Sequence, residues 1–205
     1  MYDQRVKDGV EIDVTAFVLA GGKSSRMGSD KAFLHLGAET LLSHALSVAG
    51  AAAAEVRIVG DAKKFAAFGR VVEDVYRGRG PLGGIHAALS SSTTDLNLLL
   101  AVDLPFVTAN FIEYLLSRAR ESGAIVTLPR AGGGLQPLCA VYLRSFAEVA
   151  EQSLRAGKNK IDLLFATVGT RVIEEDELVR AGFSVGMFRN LNTPHELDQA
   201  RSMCF

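Results

Sequence analysis

The segment of this chain with the clearest potential for chemistry is FVLAGGKSSRMGSDK, which ends at Lys31. An apolar, strand-like run leads there into a loop that is rich in glycine and in cationic side chains. Gly21 and Gly22 have no Cβ atom, so backbone N–H groups can approach an anion closely. Lys23 and Lys31 add positive charge, and the guanidinium of Arg26 suits a phosphate through two parallel hydrogen bonds. The segment therefore predicts a phosphate-binding loop, while a solvated turn between a strand and a helix is the alternative.

Two carboxylates follow predicted strands further along the chain. Asp103 comes directly after the almost wholly apolar run 97–102, which is typical of a central strand buried on both faces. Mg²⁺ binds one or two carboxylates together with phosphate oxygens and water, so Asp103 is a candidate metal ligand. Asp74 lies near the end of another predicted strand, at 71–75. For both residues, a turn-forming or helix-capping carboxylate is the alternative.

A second glycine-rich stretch, GRGPLGG at 78–84, precedes a predicted helix. Its backbone could wrap around a base edge or a sugar, although a simple helix start explains the glycines almost as well. Asn190 and Asn192 lie just before the last predicted helix, where asparagine also serves as a plain turn former. The Walker pattern, HExxH and CxxC do not occur, which weakens the P-loop and zinc-hydrolase interpretations. The loop that ends at Lys31 does not have the GxGxxG spacing, although that spacing occurs within GRGPLGG, at 78–83. GxSxG occurs at 182–186, but no predicted strand leads directly into its serine, so the serine-hydrolase interpretation is weak as well.

Apolar β-rich runs alternate with helical patterns along the whole chain, and this alternation positions the candidate residues. It predicts an α/β fold, a single Rossmann-like domain with a mostly parallel central sheet and helices on both faces. Strands are predicted at residues 16–19, 56–59, 71–75, 97–102, 125–128, 138–142 and 170–173. Helices are predicted at 40–48, 62–68, 85–90, 109–121, 145–155 and 160–167, and a last one begins at the capping box of residues 193–196.

Ligands of such sheets bind beyond the carboxyl ends of the strands. This rule places the loops after Leu19, Val75, Val102 and Tyr142 on one edge of the sheet. The candidate phosphate loop, Asp74 and Asp103 are therefore expected to meet there.

The composition limits the classes of protein to which the chain can belong. Its 205 residues, 48% hydrophobic and 22% charged, suit one soluble α/β domain, which we assign to residues 15–205 after a flexible extension at 1–14. The net charge of −1 gives no general attraction for nucleic acid. Two cysteines fit a reducing, cytoplasmic setting, and no apolar run reaches the roughly 18 residues of a membrane span.

The motif LAGGKSSRMGSDK resembles the LAGG-x3-RMG-x-DK signature of nucleotidyltransferases, and in particular that of the molybdenum cofactor guanylyltransferases. The resemblance continues in the same order over nearly the whole chain, from about residue 15 to residue 203. The further matching segments are VED at 72–74, GPLGG at 80–84, VDLP at 102–105 and NLNTP at 190–194.

This resemblance implies an enzyme that transfers GMP from GTP to the phosphate of molybdopterin, giving a guanine dinucleotide cofactor and pyrophosphate. It implies Mg²⁺ as cofactor with Asp103 as its ligand, and Arg26, Lys31 and Asp103 as catalytic residues. It further implies cofactor-delivery proteins and cofactor-receiving enzymes as partners. The residues implied to bind the nucleotide or the acceptor are Leu19, Ala20, Gly21, Gly22, Lys31, Asp74, Gly83, Asp103, Asn190 and Asn192.

Two other functions remain open on the sequence alone. One is a related nucleotidyltransferase, either a molybdopterin cytidylyltransferase or an enzyme that acts on sugar phosphates. The other is a nucleotide-binding partner protein without catalytic activity. The combination of Arg26, Lys31 and Asp103 argues against a decayed site, because decay should have removed one of these charges.

Overall fold

The computed structural model describes residues 6–7, 10–11, 14–21 and 30–191. Near the amino terminus, strand β1 (Val6–Lys7) pairs antiparallel with β2 (Val10–Glu11). The first core strand begins at Val14, one residue before the predicted start of the domain. The division of the chain into an extension and a domain stays a prediction.

The remaining strands are short and follow the predicted order. They are β3 (Val14–Leu19), β4 (His35–Leu36), β5 (Glu39–Thr40), β6 (Glu55–Val59), β7 (Arg70–Val72), β8 (Leu96–Ala101), β9 (Val126–Ala131), β10 (Gly134–Leu135), β11 (Cys139–Leu143) and β12 (Thr170–Ile173).

Seven α-helices lie within the described residues. They are α1 (Leu41–Gly50), α2 (Ala62–Phe65), α3 (Pro81–Ser91), α4 (Ala109–Ser122), α5 (Phe146–Arg155), α6 (Asp162–Phe165) and α7 (Glu175–Arg180), and 3₁₀ helices cover Lys31–Phe33 and Val185–Phe188. None of these helices combines the length and the apolar content that crossing a bilayer requires.

The central sheet confirms the predicted α/β fold class. Its strand order is β10-β9-β11-β8-β3-β6-β7, with β12 paired to β9. The pairs β7–β6, β6–β3, β3–β8 and β9–β12 are parallel, whereas β11 runs antiparallel to both of its neighbours. The sheet is therefore mostly parallel, with one reversed strand and a short antiparallel extension at β10.

The reversed strand corrects one prediction. We expected the loop after Tyr142 on the same edge as the loops after Leu19 and Val102, but Leu143 pairs with Leu96 at the opposite edge. The connection from β9 to β11 contains only the two-residue strand β10, which is too short for the crossover that a parallel pair needs. The amino-terminal end of β11, preceded by Leu138, consequently lies at the edge where β3 and β8 end.

Helices cover both faces of the sheet, as predicted. On one face, α1 and α4 pack on alternate residues of the central strands, such as Val18 and Leu98. On the other face, α3, α5 and α6 pack on the intervening residues, such as Phe17 and Leu99. All six residues of β3 and all six of β8 are buried, so these two strands can present polar chemistry only at their ends.

The predicted strands and helices within the described residues are present, with ends that differ by a few residues. Strand β7 ends at Val72, so Asp74 lies in the loop beyond it rather than in the strand. Helix α3 begins at Pro81 and not near residue 85, because Pro81 occupies the first helical turn, where its missing N–H costs nothing. Gly80 provides the preceding N-cap with a φ of 68°. The predicted helix at 193–196 lies outside the described residues.

A buried arginine secures the outer part of the parallel sheet. The side chain of Arg57 is only 3% exposed; its Nε and Nη2 atoms donate to the carboxylate of Glu55 at 2.8 and 2.7 Å. Its Nη1 atom donates to the carbonyl of Ser91 at 2.5 Å, which ties β6 to the end of α3. The hydrogen bond and charge of Arg57 keep the pKa of Glu55 below its ordinary value despite the opposing effect of burial.

We expect Arg57→Ala to lower the free energy of unfolding by about 1.5–3 kcal/mol, since it removes hydrogen bonds to a charged group. The matched control is Arg70→Ala: Arg70 also bonds Glu55, at 3.0 Å, but is 68% exposed and should contribute only about 0–1 kcal/mol. Urea unfolding of both variants measures the difference.

The same comparison has a pH dependence. The pKa of Glu55 is lowered in the folded state, so its pairing stabilises above the unfolded pKa of about 4.3 and is lost as the pH falls through the folded value. The difference in the free energy of unfolding between wild type and Arg57→Ala should therefore become smaller as the pH falls through these pKa values. Equal destabilisation by the two arginine variants would contradict the role assigned to Arg57.

Candidate active site

A cleft of about 940 Å³ opens at the edge of the sheet where β3, β6, β7 and β8 end. The chain runs outward from β3 to β6 and β7 and then returns to the other side of β3 with β8. Such a reversal of strand order leaves a crevice between the two loops that diverge from it, which is where open α/β sheets bind ligands. The cleft is therefore the position that the topology favours for a ligand.

The floor of the cleft is the end of β3. Leu19 and Ala20 are nearly fully buried, and the carbonyl of Leu19 accepts a hydrogen bond from the amide of Val102 at 3.1 Å. The amides of Ala20 and Gly21 both donate to the carbonyl of Val59, at 3.0 and 3.1 Å. The amide of Gly21 is thus engaged with the neighbouring strand, and it does not point toward a ligand as the sequence alone suggested.

Lys31 and Asp103 meet above this floor from distant parts of the chain. The Lys31 ammonium lies 3.4 Å from the Asp103 carboxylate, and their side chains are 19% and 24% exposed. Asp103 lies two residues beyond the end of β8, and its carbonyl accepts a hydrogen bond from the amide of Leu191 at 3.1 Å. A cation and an anion are therefore fixed next to each other at the end of the central strand.

Lys31 is positioned by the residue before it. One carboxylate oxygen of Asp30 accepts from the amide of Ala32 and caps the 3₁₀ helix that contains Lys31. The other oxygen accepts from the ammonium of Lys64 at 2.7 Å, and this hydrogen bond raises the pKa of Lys64. The ring of Phe33 packs on that of Phe65, with 5.6 Å between their centroids. The end of the first loop is thereby fastened to α2.

Asp74 lines the opposite side of the cleft, in the loop between β7 and α3. Its Oδ1 atom accepts from the amide of Tyr76 at 2.8 Å. The first turn of α3 passes close beneath the carboxylate: a Cβ atom at Gly83 would lie 2.7 and 2.9 Å from the Asp74 oxygens and 3.0 Å from the carbonyl of Tyr76. Because Gly83 has no Cβ atom, the Asp74 carboxylate has room to lie against this turn.

The structure brings most of the predicted site residues to this cleft. Those that line it are Leu19, Ala20, Gly21, Lys31, Asp74 and Asp103. Gly83 is buried beneath Asp74 instead of lining the cleft, whereas the next residue, Gly84, does line it. Asn190 is exposed and adjoins Leu191, whose amide contacts Asp103. Gly22, Lys23, Arg26 and Asn192 lie outside the described residues.

Several lining residues were not identified from the sequence. Gly60, Asp61 and Lys63 follow β6, and a signal for them was the change from an apolar strand to charged residues at that point. Arg77 lies in the loop that carries Asp74. Leu138 reaches the cleft because β11 is reversed, a feature that hydrophobic patterning does not reveal.

The charges of the cleft suit a phosphate ligand that arrives with a hard cation. Lys31, Lys63 and Arg77 supply positive charge, and the lining also contains four carboxylates, those of Asp61, Glu73, Asp74 and Asp103. A cation that binds with the ligand would balance the excess of carboxylates. The described residues contain no group of three or more His, Cys, Asp or Glu side chains that could hold a metal by themselves. Mg²⁺ needs no such group, because it shares one or two carboxylates with phosphate oxygens and water.

Comparisons with known proteins identify the family to which the chain is related. The family model described as "MobA-like NTP transferase domain" matches residues 16–171. A probable molybdenum cofactor guanylyltransferase from Pelotomaculum thermopropionicum is 38% identical over 94% of both chains. A molybdenum cofactor guanylyltransferase from Syntrophotalea carbinolica is 31% identical over 91% of this chain and 90% of its own.

A solved structure has the same fold. Molybdopterin-guanine dinucleotide biosynthesis protein A from Archaeoglobus fulgidus superimposes with a TM-score of 0.81 at 26% sequence identity. The match covers 93% of this chain and 98% of that one.

We expect Gly83→Ala to destabilise the fold, because its Cβ would collide with Asp74 and with a backbone carbonyl. Overpacking of this kind costs about 1–3 kcal/mol and outweighs the gain of up to about 1 kcal/mol that alanine has over glycine within a helix. Gly84→Ala is the control, since its Cβ would meet only the side-chain ends of Leu19 and Val59, at 3.3 and 3.6 Å.

Denaturant unfolding compares the two variants. Adding Asp74→Ala to Gly83→Ala should recover part of the loss, because it removes two of the three close contacts. Equal stability of Gly83→Ala and Gly84→Ala would contradict this account of Gly83.

Proposed function

Since this chain belongs to the MobA-like NTP transferase family, we propose that it transfers GMP from GTP to the phosphate of molybdopterin. The observation that carries the proposal is the Lys31–Asp103 pair at the end of β8, across the cleft from Asp74. The names of the relatives support the choice of guanine nucleotide and molybdopterin among the family's reactions.

The proposed reaction is a nucleotidyl transfer, in which one bond to phosphorus forms and another breaks. An oxygen of the molybdopterin phosphate forms a bond to the α-phosphorus of GTP. The bond between that phosphorus and the oxygen bridging to the β-phosphorus breaks, and pyrophosphate departs. A phosphate monoester has a second pKa near 6, so the attacking oxygen is already ionised at neutral pH and needs no dedicated base.

The protein's contribution is to position two anions and to balance the charge that develops on the leaving group. We assign Lys31 to the phosphates of the donor, where a compact ammonium acts as a point charge. Arg26 is assigned to the same phosphates on the basis of the sequence. Asp74, Gly22 and the segment at the end of β3 are assigned to the rest of the nucleotide, and Gly83 supports Asp74 from below.

Mg²⁺ fits the residues of the cleft, and we propose Asp103 as its protein ligand. When bound, the ion neutralises charge on the phosphates and supports the departure of pyrophosphate. Asp103 is suited to hold it because it lies just beyond a buried strand and its carbonyl accepts a hydrogen bond from the amide of Leu191. Lys31, already 3.4 Å from that carboxylate, keeps a second positive charge beside the ion.

We place the acceptor near Asn190, on the side of the cleft next to Asp103, and assign Asn192 to the acceptor on the basis of the sequence. The support is the hydrogen bond from Leu191 to Asp103, which brings this segment to the site. Proteins that deliver molybdopterin or receive the finished cofactor are further proposed partners. We also place the reaction in the cytoplasm, as the cysteine content predicts.

The decisive experiment is a donor panel of GTP, CTP, ATP and UTP, each with Mg²⁺ and purified molybdopterin. We expect the guanine dinucleotide and pyrophosphate from GTP, and the largest rise in melting temperature with GTP, because ligand binding to the native state stabilises it. Mass spectrometry identifies the product. A cytosine dinucleotide from CTP would establish the cytidylyltransferase alternative, and binding without product would establish a non-catalytic partner protein.

Asp103→Asn should retain the fold yet lower kcat/KM at least about a hundredfold, since a metal's stabilisation of transition-state charge is worth several kcal/mol. Loss of its partly exposed ion pair with Lys31 should cost only about 0–1 kcal/mol of stability. Asp95→Asn is the matched control, because Asp95 precedes β8 and so lies at the end of this strand remote from the cleft. Initial rates of both variants over a range of Mg²⁺ concentrations test whether Asp103 binds the metal. Wild-type kinetics of Asp103→Asn would show that Asp103 is not its ligand.

A further inference from the structure

Asp74 lies in a loop, and a set of contacts outside the cleft holds that loop in place. We propose that Tyr76 positions Asp74 for the reaction by anchoring this loop to helices α3 and α5. The inference rests on the proposed function for its kinetic consequence, although the anchor itself is a property of the protein without ligand. Tyr76 does not line the cleft, so its role is positioning and not direct contact with the substrate.

The backbone around Asp74 is held by hydrogen bonds on both sides of that residue. Strand β7 ends at Val72, whose carbonyl accepts from the amide of Gly60. Beyond that point the loop turns on Tyr76, whose amide donates to Asp74 at 2.8 Å and whose carbonyl accepts from the amide of Arg79 at 3.2 Å. The orientation of the Asp74 carboxylate is therefore set by where the backbone of Tyr76 lies.

The side chain of Tyr76 leaves the loop and reaches both helices. Its hydroxyl donates to Glu151 of α5 at 3.3 Å. Its ring meets the ring of His86 on α3 edge-on, with 5.1 Å between centroids and 79° between planes. His86 is 7% exposed, and Glu151 is in turn held by Arg155 at 2.8 Å. The anchor thus ends on a buried histidine of α3 and on a glutamate of α5 that is paired with a neighbouring arginine.

The Asp74 carboxylate has little space on the side that faces α3. The carboxylate lies close against the first turn of α3, since a Cβ atom added at Gly83 would be within 3 Å of both of its oxygens. On its other side, the carboxylate is restrained by the hydrogen bond that it accepts from the amide of Tyr76. A displacement of about 1 Å in a reacting group can cost a hundredfold in rate, so a loose anchor would be visible in the kinetics.

The test compares Tyr76→Phe, which removes only the hydroxyl, with Tyr114→Phe. Tyr114 is a matched control, because its hydroxyl donates to Glu177 at 3.2 Å, a contact of the same type that lies on α4, across the sheet from α3 and α5. We expect kcat/KM with GTP and molybdopterin to fall about two- to tenfold in Tyr76→Phe, the range for one ordinary hydrogen bond. It should stay unchanged in Tyr114→Phe. Glu151→Ala should match Tyr76→Phe, and the double variant should be no worse than either single one.

Hydrogen exchange on the ligand-free protein supplies a readout that does not depend on turnover. Peptides covering residues 73–80 should exchange faster in Tyr76→Phe and in Glu151→Ala than in wild type or Tyr114→Phe. Unchanged exchange in this segment would overturn the anchor, whichever nucleotide the protein uses. Faster exchange with wild-type kcat/KM would overturn the positioning role. A wild-type protein that exchanges as expected but makes no guanine dinucleotide would instead refute the proposed function.

Discussion

The burial of β3 and β8 on both faces is the constraint on which the rest of the structure depends. Helices cover each side of these strands, so an ionised side chain within them would lie far from water. The one strongly polar side chain of β8, Asn97, satisfies this constraint by donating to the carbonyls of Thr94, Asp95 and Tyr142. The charges needed for chemistry are confined to the ends of the strands, and Asp103 takes the first such position after β8.

This confinement explains how much of the site could be predicted from sequence. A run of apolar residues followed by a single aspartate indicates both a buried strand and a polar end, so Asp103 and the loop after Leu19 were identified correctly as parts of one edge. The direction of β11 was not, because apolar runs report burial and carry no information on strand direction. The start of α3 was missed for a different reason: glycine and proline suggest a loop, whereas Pro81 and Gly83 here belong to the first helical turn.

A common device holds the charged residues that leave the sheet. Lys31 lies on a short turn that Asp30 and Lys64 fasten to α2, and Asp74 lies on a loop fastened through Tyr76. In both cases the fastening side chain comes from the loop or from a neighbouring helix, outside the reacting space. Loops often carry binding residues because their backbone is not committed to the hydrogen bonds between strands. Such residues are positioned precisely only when contacts of this kind restrict the loop.

The pairing of β3 with β8 also has a consequence for the synthesis of the chain. The two strands are about 80 residues apart in sequence, and β3 also pairs with β6 on its other side. At roughly 5–20 residues per second, several seconds separate the translation of the two partners. During that interval one side of an almost entirely apolar strand has no partner from its own chain, and such an edge can pair with other chains. The strand that forms the floor of the cleft is therefore also an aggregation-prone edge of the nascent protein until β8 has been synthesised.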